Sequence, residues 1–247
     1  MDKHIYFASD FHLGAPNSAK SREREDKIVR WLEWIRPTCS ELFLMGDIFD
    51  FWFEYRYVVP KGFVRLFGKL AQLSDEGVQI YFFKGNHDMW VKGYFQEELG
   101  IKVLSDEMIM ERSGKTFYLH HGDGLGPGDK KYKLLRKIFR NPLCQWLFGI
   151  LPPAIGMGIA QAWSGHSRAS QGATEQFLGA DREWLAIYAK EILADKHFDY
   201  FVFGHRHLPM DLQLSDMSRY INIGEWLNYC SYAVFDGKDL KLCYFEA

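Results

Sequence analysis

The 247-residue sequence predicts an α/β fold with two sheets and a helical insertion. Apolar runs alternate with amphipathic segments in the first hundred residues, which is typical of parallel strands joined by helical crossovers. Closely spaced strand-like runs follow and indicate a second, partly antiparallel sheet. Residues 124–172 lack strand character, which favours helices there. Because 47% of the residues are hydrophobic, we expect one domain over residues 1–247 with a substantial core.

The first part of the chain predicts strands and helices in alternation. Three short apolar runs predict strands: His4–Ala8, Leu42–Met45 and Val78–Phe83. Apolar residues at three-to-four spacing predict helices over Ser21–Ile35, with Ser21 as the N-cap, and over Gly62–Asp75. A short helix should end at Gly100. This order predicts a parallel sheet.

The later part predicts the second sheet. Met108–Arg112 and Thr116–Leu119, joined by Ser113-Gly114, are expected to form a hairpin. A helix is predicted over Ala173–Ala194. Tyr200–Phe203 is expected to be a strand, and three further runs are expected to be strands that complete the second sheet: Arg219–Ile223, Ser231–Phe235 and Asp239–Phe245.

Bulk composition excludes some classes of function. A formal net charge of -2 gives no global field that would attract nucleic acid, so no nucleic-acid partner is expected. The four cysteines are scattered without pairwise spacing, and the chain opens directly on a strand instead of a basic, apolar leader. These features favour a reducing, cytoplasmic location with free thiols.

Five short loops with metal-competent side chains each close an apolar run. They are Ser9-Asp10-Phe11-His12, Gly46-Asp47-Ile48-Phe49-Asp50, Gly85-Asn86-His87-Asp88, His120-His121-Gly122-Asp123 and Gly204-His205-Arg206-His207. Open α/β sheets place active sites at the carboxyl ends of their strands, so these loops can converge there. A lone histidine is more often structural, but five loops of the same kind favour a metal site.

The side chains in these loops suit hard or borderline divalent cations. They offer carboxylate, amide oxygen and imidazole ligands without cysteine. Two neighbouring ions need a bridging ligand, and a carboxylate with two oxygens can bridge where an imidazole cannot. Asp47 is the predicted bridge. Such a pair of ions is suited to phosphoester hydrolysis.

The five motifs resemble the complete motif series of the calcineurin-like metallophosphoesterases. The resemblance implies an α/β/β/α sandwich of two mixed sheets flanked by helices, with a dinuclear metal centre. It implies these ligands: Asp10, His12 and His207 for one ion, Asn86, His121 and His205 for the other, and Asp47 for both. His87 would protonate the leaving group or stabilise developing charge, so Asp47 and His87 are the expected catalytic residues. His120, beside the expected ligand His121, is assigned to packing at the strand end.

Two features, the segment from Gly46 to Trp52 and the insertion after Asp123, indicate one particular branch of this family. They resemble the UDP-2,3-diacylglucosamine diphosphatase branch along nearly the whole chain. The branch makes lipid X (2,3-diacylglucosamine 1-phosphate) and UMP in lipid A biosynthesis, with attack on the phosphorus of the uridine side. The resemblance implies these substrate contacts: Asn86, His87, Asp129, Tyr132 and Ser167. The cofactor expected from the ligand types is two divalent ions, with Mn²⁺ favoured and iron or zinc left open.

The insertion at residues 124–172 predicts a helical lid. Asp129–Arg140 alternates basic residues with an apolar stripe and predicts a basic amphipathic helix. Two short apolar helices, Leu143–Ile150 and Ala154–Trp163, are expected around Pro152-Pro153. They could hold acyl chains beside the metal site and contact the inner face of the cytoplasmic membrane. The alternative is that these helices simply pack on the core.

Two further functions stay open. Members of the branch often carry arginine where this chain has His87, which leaves room for a phosphoesterase of the same fold that acts on a nucleotide or phosphoprotein. A non-catalytic scaffold would be expected to lack ligands, whereas this sequence has every one. Oligomeric state and acyl-chain length leave no signal in the sequence.

Overall fold

The structure is a computed structural model that describes residues 3–127, 130–160, 176–177 and 179–246, with residues 130–132 described by backbone alone. Its strands are β1 His4–Ala8, β2 Cys39–Leu44, β3 Gln79–Phe83, β4 Lys102–Leu104, β5 Met108–Arg112, β6 Lys115–His120, β7 Tyr200–Phe203, β8 Met210–Ser215, β9 Ser218–Asn222, β10 Ser231–Phe235 and β11 Leu240–Tyr244. Its helices with defined bounds are α1 Ser18–Ile35, α2 Val64–Asp75, α3 Tyr94–Leu99, α4 Lys130–Arg140, α5 Pro142–Ile150 and α6 Trp184–Asp195. Residues 153–160 are also helical, and residues 161–163 of the helix predicted over Ala154–Trp163 lie outside the described residues.

The strands form two mixed sheets. The first has the order β11-β10-β1-β2-β3-β4, in which β1 to β4 run parallel and β10 and β11 are antiparallel. The second has the order β5-β6-β7-β9-β8, with a parallel centre and antiparallel edges. The predicted alternation of strands and helices and the predicted hairpin are confirmed.

Apolar layers explain the stacking of the elements. Buried side chains on the inner faces of both sheets form one cluster, in which the Phe7 ring lies 5.0 Å from Phe43 and 6.1 Å from Phe117. The outer face of the first sheet packs against α1, α2 and α3 through residues such as Trp31. The outer face of the second sheet packs against α6. The result is the expected α/β/β/α sandwich.

The expected membership of the second sheet is wrong for two strands. The predicted strands Ser231–Phe235 (β10) and Asp239–Phe245 (β11) belong to the first sheet. Strand β10 pairs antiparallel with β1, aligning Ile5 with Phe235, and β11 pairs antiparallel with β10. Local alternation marks a strand but carries no information about its distant partner. The sequence also missed β4, which has three residues, and the edge strand β8.

Two helix starts differ from prediction. Helix α1 begins at Ser18, where the Asn17 side chain accepts a hydrogen bond from the backbone of Lys20 at 3.0 Å. Ser21 is instead buried within the helix and accepts from the backbone of Gly14 at 2.8 Å. The helix predicted over Ala173–Ala194 begins at Trp184, and residues 179–183 are not helical. Residues 173–175 lie outside the described chain.

Candidate metal centre

All five predicted loops meet at one edge of the sandwich. Three follow the parallel strands β1, β2 and β3, and two follow β6 and β7 of the second sheet. The loops are joined by backbone hydrogen bonds, such as Asp10 N to Gly46 O at 3.0 Å and Gly204 N to His121 O at 2.9 Å. The carboxyl ends of both sheets therefore supply one site.

A first cluster brings together Asp10, His12, Asp47 and His207. One potential ligand atom from each lies within 4.8 Å of the others. The Nε2 atom of His207 lies 3.1 Å from Oδ1 of Asp10 and 3.0 Å from Nε2 of His12. Three of these side chains are buried, so the ligand atoms face one another instead of bulk water.

A second cluster contains Asp47, His121 and His205. The Nε2 atom of His121 lies 3.5 Å from Oδ2 of Asp47 and 3.2 Å from Oδ1 of Asn86, which joins Asn86 to the cluster. Asp47 belongs to both clusters. The structure thus brings together all seven residues predicted as metal ligands, in the predicted two sets.

The residues fit a pair of divalent cations. Asp10 Oδ1 and Asp47 Oδ2 are buried, and neither accepts a hydrogen bond from any residue that the structure describes. A buried carboxylate oxygen without a hydrogen bond is costly unless a cation compensates it. Oxygen and imidazole ligands without thiolate are those that hard and borderline divalent metals take.

Electrostatics agree with a cation site. Burial would raise the pKa of Asp10, but the imidazoles of His12 and His207 lower it well below its usual range. The pKa of Asp47 is likewise lowered despite burial, chiefly by the charge of His121. Burial would lower the pKa of His121, yet Asp47 raises it to about 10. The carboxylates thus stay ionised and draw positive charge to this place, either as a proton on His121 or as a divalent cation that would displace that proton when it binds.

The pKa of His205 is lowered, in contrast with that of His121. Burial, together with the charge of His121, lowers the pKa of His205 to about 4. His205 is therefore neutral at physiological pH, which is the form that binds a metal.

The backbone around the ligands is strained. Five of the predicted ligands have positive φ: Asp10 (56°), His12 (44°), Asp47 (52°), His205 (66°) and His207 (57°). Residues other than glycine rarely adopt this region, and such strain concentrates at functional sites. Close approach adds a second constraint, since a Cβ at Gly46, where φ is 96°, would lie 2.5 Å from Nδ1 of His121.

Asp88 organises two ligand loops, a role that its motif alone did not reveal. Its carboxylate accepts hydrogen bonds from the backbone of Gly85 at 2.7 Å, Ile48 at 2.8 Å and Phe49 at 3.3 Å. Burial and the charge of Asp47 raise the pKa of Asp88 to about 7. The side chain ties the loop after β3 to the loop after β2, which carries Asp47.

His87 lies beside the first cluster. Its Nδ1 is 2.9 Å from the carbonyl oxygen of Asp50, and its ring packs against His12 with centroids 4.9 Å apart. His12, Asp50 and His87 form a third group of close ligand atoms, and sequence reasoning gave Asp50 no role. His120 is buried and accepts a hydrogen bond from the backbone of Gly122 at 2.7 Å, away from both clusters.

The predicted substrate contacts are only partly described. Asn86 and His87 lie at the clusters. Asp129 and Ser167 lie outside the described residues, and Tyr132 is described only as part of the backbone of α4.

Comparison with known proteins identifies the family. The calcineurin-like phosphoesterase family matches residues 3–209, and this chain belongs to that family. The chain is 42% identical to a UDP-2,3-diacylglucosamine hydrolase of Porphyromonas gingivalis, over 98% of this chain and 97% of that protein. A protein of the same name from Vibrio cholerae is 27% identical over 94% of each chain. A solved structure of Yfce, a phosphoesterase from E. coli, matches with a TM-score of 0.48 and 16% identity over 98% of this chain and 93% of that one.

None of the helices in the described part of the chain combines the length and apolar character needed to span a bilayer.

Proposed function

We propose that this protein hydrolyses UDP-2,3-diacylglucosamine to 2,3-diacylglucosamine 1-phosphate and UMP, with attack on the uridine-side phosphorus. The proposal rests chiefly on the full-length identity of 42% with the Porphyromonas gingivalis hydrolase. It is supported by two ligand clusters that share Asp47, since neighbouring metal sites are typical of enzymes that cleave phosphoesters.

We assign the metal ligands as predicted and propose Mn²⁺ as the native ion. Asp10, His12 and His207 would hold one ion, Asn86, His121 and His205 the other, and Asp47 both. Bound ions would polarise a phosphoryl oxygen and lower the pKa of water. Four of the proposed ligands, Asp10, His12, Asp47 and His121, are buried and would hold the ions without rearrangement.

His87 is proposed to protonate the leaving group. If its Nδ1 carries the proton and donates to the carbonyl of Asp50, Nε2 is the nitrogen that exchanges a proton with the substrate. Packing of the ring against His12 holds the imidazole next to the ligand cluster. A histidine in this place can transfer a proton, which an arginine cannot do.

The acyl chains are proposed to enter a cavity beside the metal centre. A cavity of about 900 Å³ lies between the start of α1, the segment 50–63 and residues 153–157. Asp50 lines one side of it, and Phe51, Phe63 and Met157 are among its apolar walls. Its volume lies in the range of small-molecule sites, and its apolar walls, rather than the charged residues that also line it, would accept the acyl chains.

Residues 124–172 are proposed to form a lid that also contacts the membrane surface. Its inner side packs on the core through aromatic rings, with Phe148 4.8 Å from both Phe53 and Trp90. Its outer side exposes large apolar residues: Leu134, Ile138, Leu143, Trp146, Leu147, Ile150, Ile155 and Ile159. Exposed apolar surface of this extent beside the basic residues of α4 is typical of contact with an anionic membrane.

The test compares UDP-2,3-diacylglucosamine with its de-acylated analogue, using the purified full chain and Mn²⁺. Release of UMP from the acylated compound alone is the expected result. Cleavage of a generic phosphodiester but of neither UDP compound would overturn the substrate and favour another ester. Mass-spectrometric metal analysis of the purified protein tests Mn²⁺ against iron and zinc.

A further inference from the structure

Both roots of the lid are tied to the metal-ligand loops by arginine–carboxylate pairs. At the first root, Nε of Arg136 on α4 lies 2.9 Å from Oδ2 of Asp123, which follows the ligand His121 by two residues. The carboxylate is 2% exposed and the arginine 17%, so the pair is largely shielded from water. Shielded pairs of this kind resist separation because a lone buried charge is costly.

The second root carries a matching pair. Arg206 lies between the ligands His205 and His207, and its guanidinium binds Glu183 through two contacts, at 2.9 and 3.2 Å. It also donates to the carbonyl oxygen of Gln176, just past the predicted lid. Both members of the ion pair are nearly buried. The segment that leaves the lid is thereby attached to the loop that bears His205.

The two pairs are connected indirectly, through residues 124–126 and the start of α6; Nζ of Lys133 on α4 donates to the carbonyl oxygen of Gly126 at 2.7 Å. A Cβ at Gly124 would lie 2.8 Å from Nη1 of Arg136, and one at Gly126 would lie 2.7 Å from the carbonyl oxygen of Trp184. The guanidinium of Arg206 lies over the Trp184 ring, 5.1 Å from its centroid. A continuous series of contacts therefore runs from α4 to the His205 loop.

We propose that Arg136 and Arg206 are positioning residues that couple the ion held by His121 and His205 to the position of the lid helix α4. Both histidines belong to the second cluster. The Arg136–Asp123 pair and the Arg206–Glu183 pair, here called the two clamps, each hold the loop of one of these histidines. An ion bound by His121 and His205 would hold their loops in place, and with them Asp123 and Arg206. These two residues would in turn hold α4 and the segment that contains Gln176 and Glu183. The inference rests on the metal ligands proposed above and is independent of the substrate.

Hydrogen exchange of the full chain, with and without Mn²⁺, tests the coupling. In the unaltered protein, Mn²⁺ should slow amide exchange in residues 130–140. Arg136→Met should abolish that Mn²⁺-dependent change while leaving the exchange of α1 and α2 as before. Arg140→Met is the matched control, because Arg140 lies on the same helix but binds Asp106 and the carbonyl of Ser105, away from the ligand loops.

Calorimetric titration with Mn²⁺ tests the second clamp. Glu183→Gln keeps the shape of the buried pair but removes its charge, and it should weaken one of two Mn²⁺ sites by about tenfold, as loss of outer-shell partners typically does. Arg206→Lys should recover part of the affinity lost in Arg206→Met.

Several results would overturn the proposal. They are unchanged Mn²⁺-dependent protection of α4 in Arg136→Met, equal loss of it in Arg140→Met, or unchanged Mn²⁺ affinity in Glu183→Gln. Neither readout uses substrate, so failure to cleave UDP-2,3-diacylglucosamine would leave the coupling standing. A protein that binds no Mn²⁺, iron or zinc would end both the metal assignment and the coupling.

Discussion

The loops that carry the proposed metal ligands differ from the proposed lid in how they are held. The proposed ligand side chains are mostly buried, and their loops are held by buried backbone hydrogen bonds that Asp88 accepts and by a strained backbone. The proposed lid attaches to the core through a few aromatic rings and the Arg136–Asp123 pair, while most of the large apolar side chains described in it are exposed. Chemistry at the ions needs fixed geometry, whereas binding of flexible acyl chains needs accessible apolar surface. Substitutions in the two regions should therefore fail in different ways.

The largest effect is expected from Asp47→Ala. Because Asp47 belongs to both clusters, its loss should remove a ligand from each ion and lower kcat/KM by on the order of 10³-fold or more, at least as much as loss of one donor that stabilises a transition state. Steady-state hydrolysis and Mn²⁺ titration measure this. Asp181→Ala is the control, since Asp181 is 96% exposed. Full activity with two bound ions in Asp47→Ala would refute the shared ligand.

Gly46→Ala should destabilise the protein by about 1–3 kcal/mol, the usual cost of one strained backbone position, with added cost from contact with His121. Gly77→Ala separates the two terms, because Gly77 also has positive φ (90°) but open space around its Cα. Urea unfolding should show the larger loss for Gly46→Ala. Equal losses would mean that the loop relaxes away from His121.

A substitution at the end of the second sheet that is remote from the metal centre should lower stability without affecting hydrolysis. Asp199 accepts hydrogen bonds from the backbone and hydroxyl of Thr116, at 2.8 and 2.9 Å, and pairs with Lys115. Burial would raise the pKa of Asp199, but these partners lower it below its usual value. The stabilisation is therefore complete above the unfolded pKa of about 3.9 and is lost as pH falls through the lower folded pKa.

Asp199→Asn should cost about 1.5–3 kcal/mol at pH 7, the range for hydrogen bonds to a charged group. Urea unfolding should show the difference from the unaltered protein shrinking toward pH 3, with hydrolysis at pH 7 unchanged. A difference of the same size at both pH values would contradict the assignment of the ionised carboxylate.

The smallest effect on stability is expected in the lid. Trp146 is 62% exposed, so Trp146→Ser should change the free energy of unfolding by less than about 0.5 kcal/mol. Binding to anionic vesicles should nevertheless weaken by about tenfold, the equivalent of one large apolar side chain. Trp34→Ser is the matched control, since Trp34 is 58% exposed on α1. Equal vesicle binding in both variants would place the membrane contact elsewhere.

Strand boundaries were predictable where a short apolar run is buried on both faces. His4–Ala8 and Tyr200–Phe203 match the structure at both ends, because central strands between two layers leave no polar positions to confuse the pattern. The start of α6 was not predictable in the same way. Glu183, just before it, is buried by its pair with Arg206, a contact that no local pattern reports.

The sequence by itself determined the donor chemistry of the site. Carboxylate, amide and imidazole side chains follow five apolar runs, and strands in an open α/β fold present their carboxyl ends at one edge. Only the tertiary structure decided how those loops are held, through Asp88, which bridges two of them, and through the ion pairs of Arg136 and Arg206. It also decided that β10 pairs with β1. Each of these depends on a contact between residues far apart in the chain, and such contacts leave no periodicity in the sequence for local reasoning to detect.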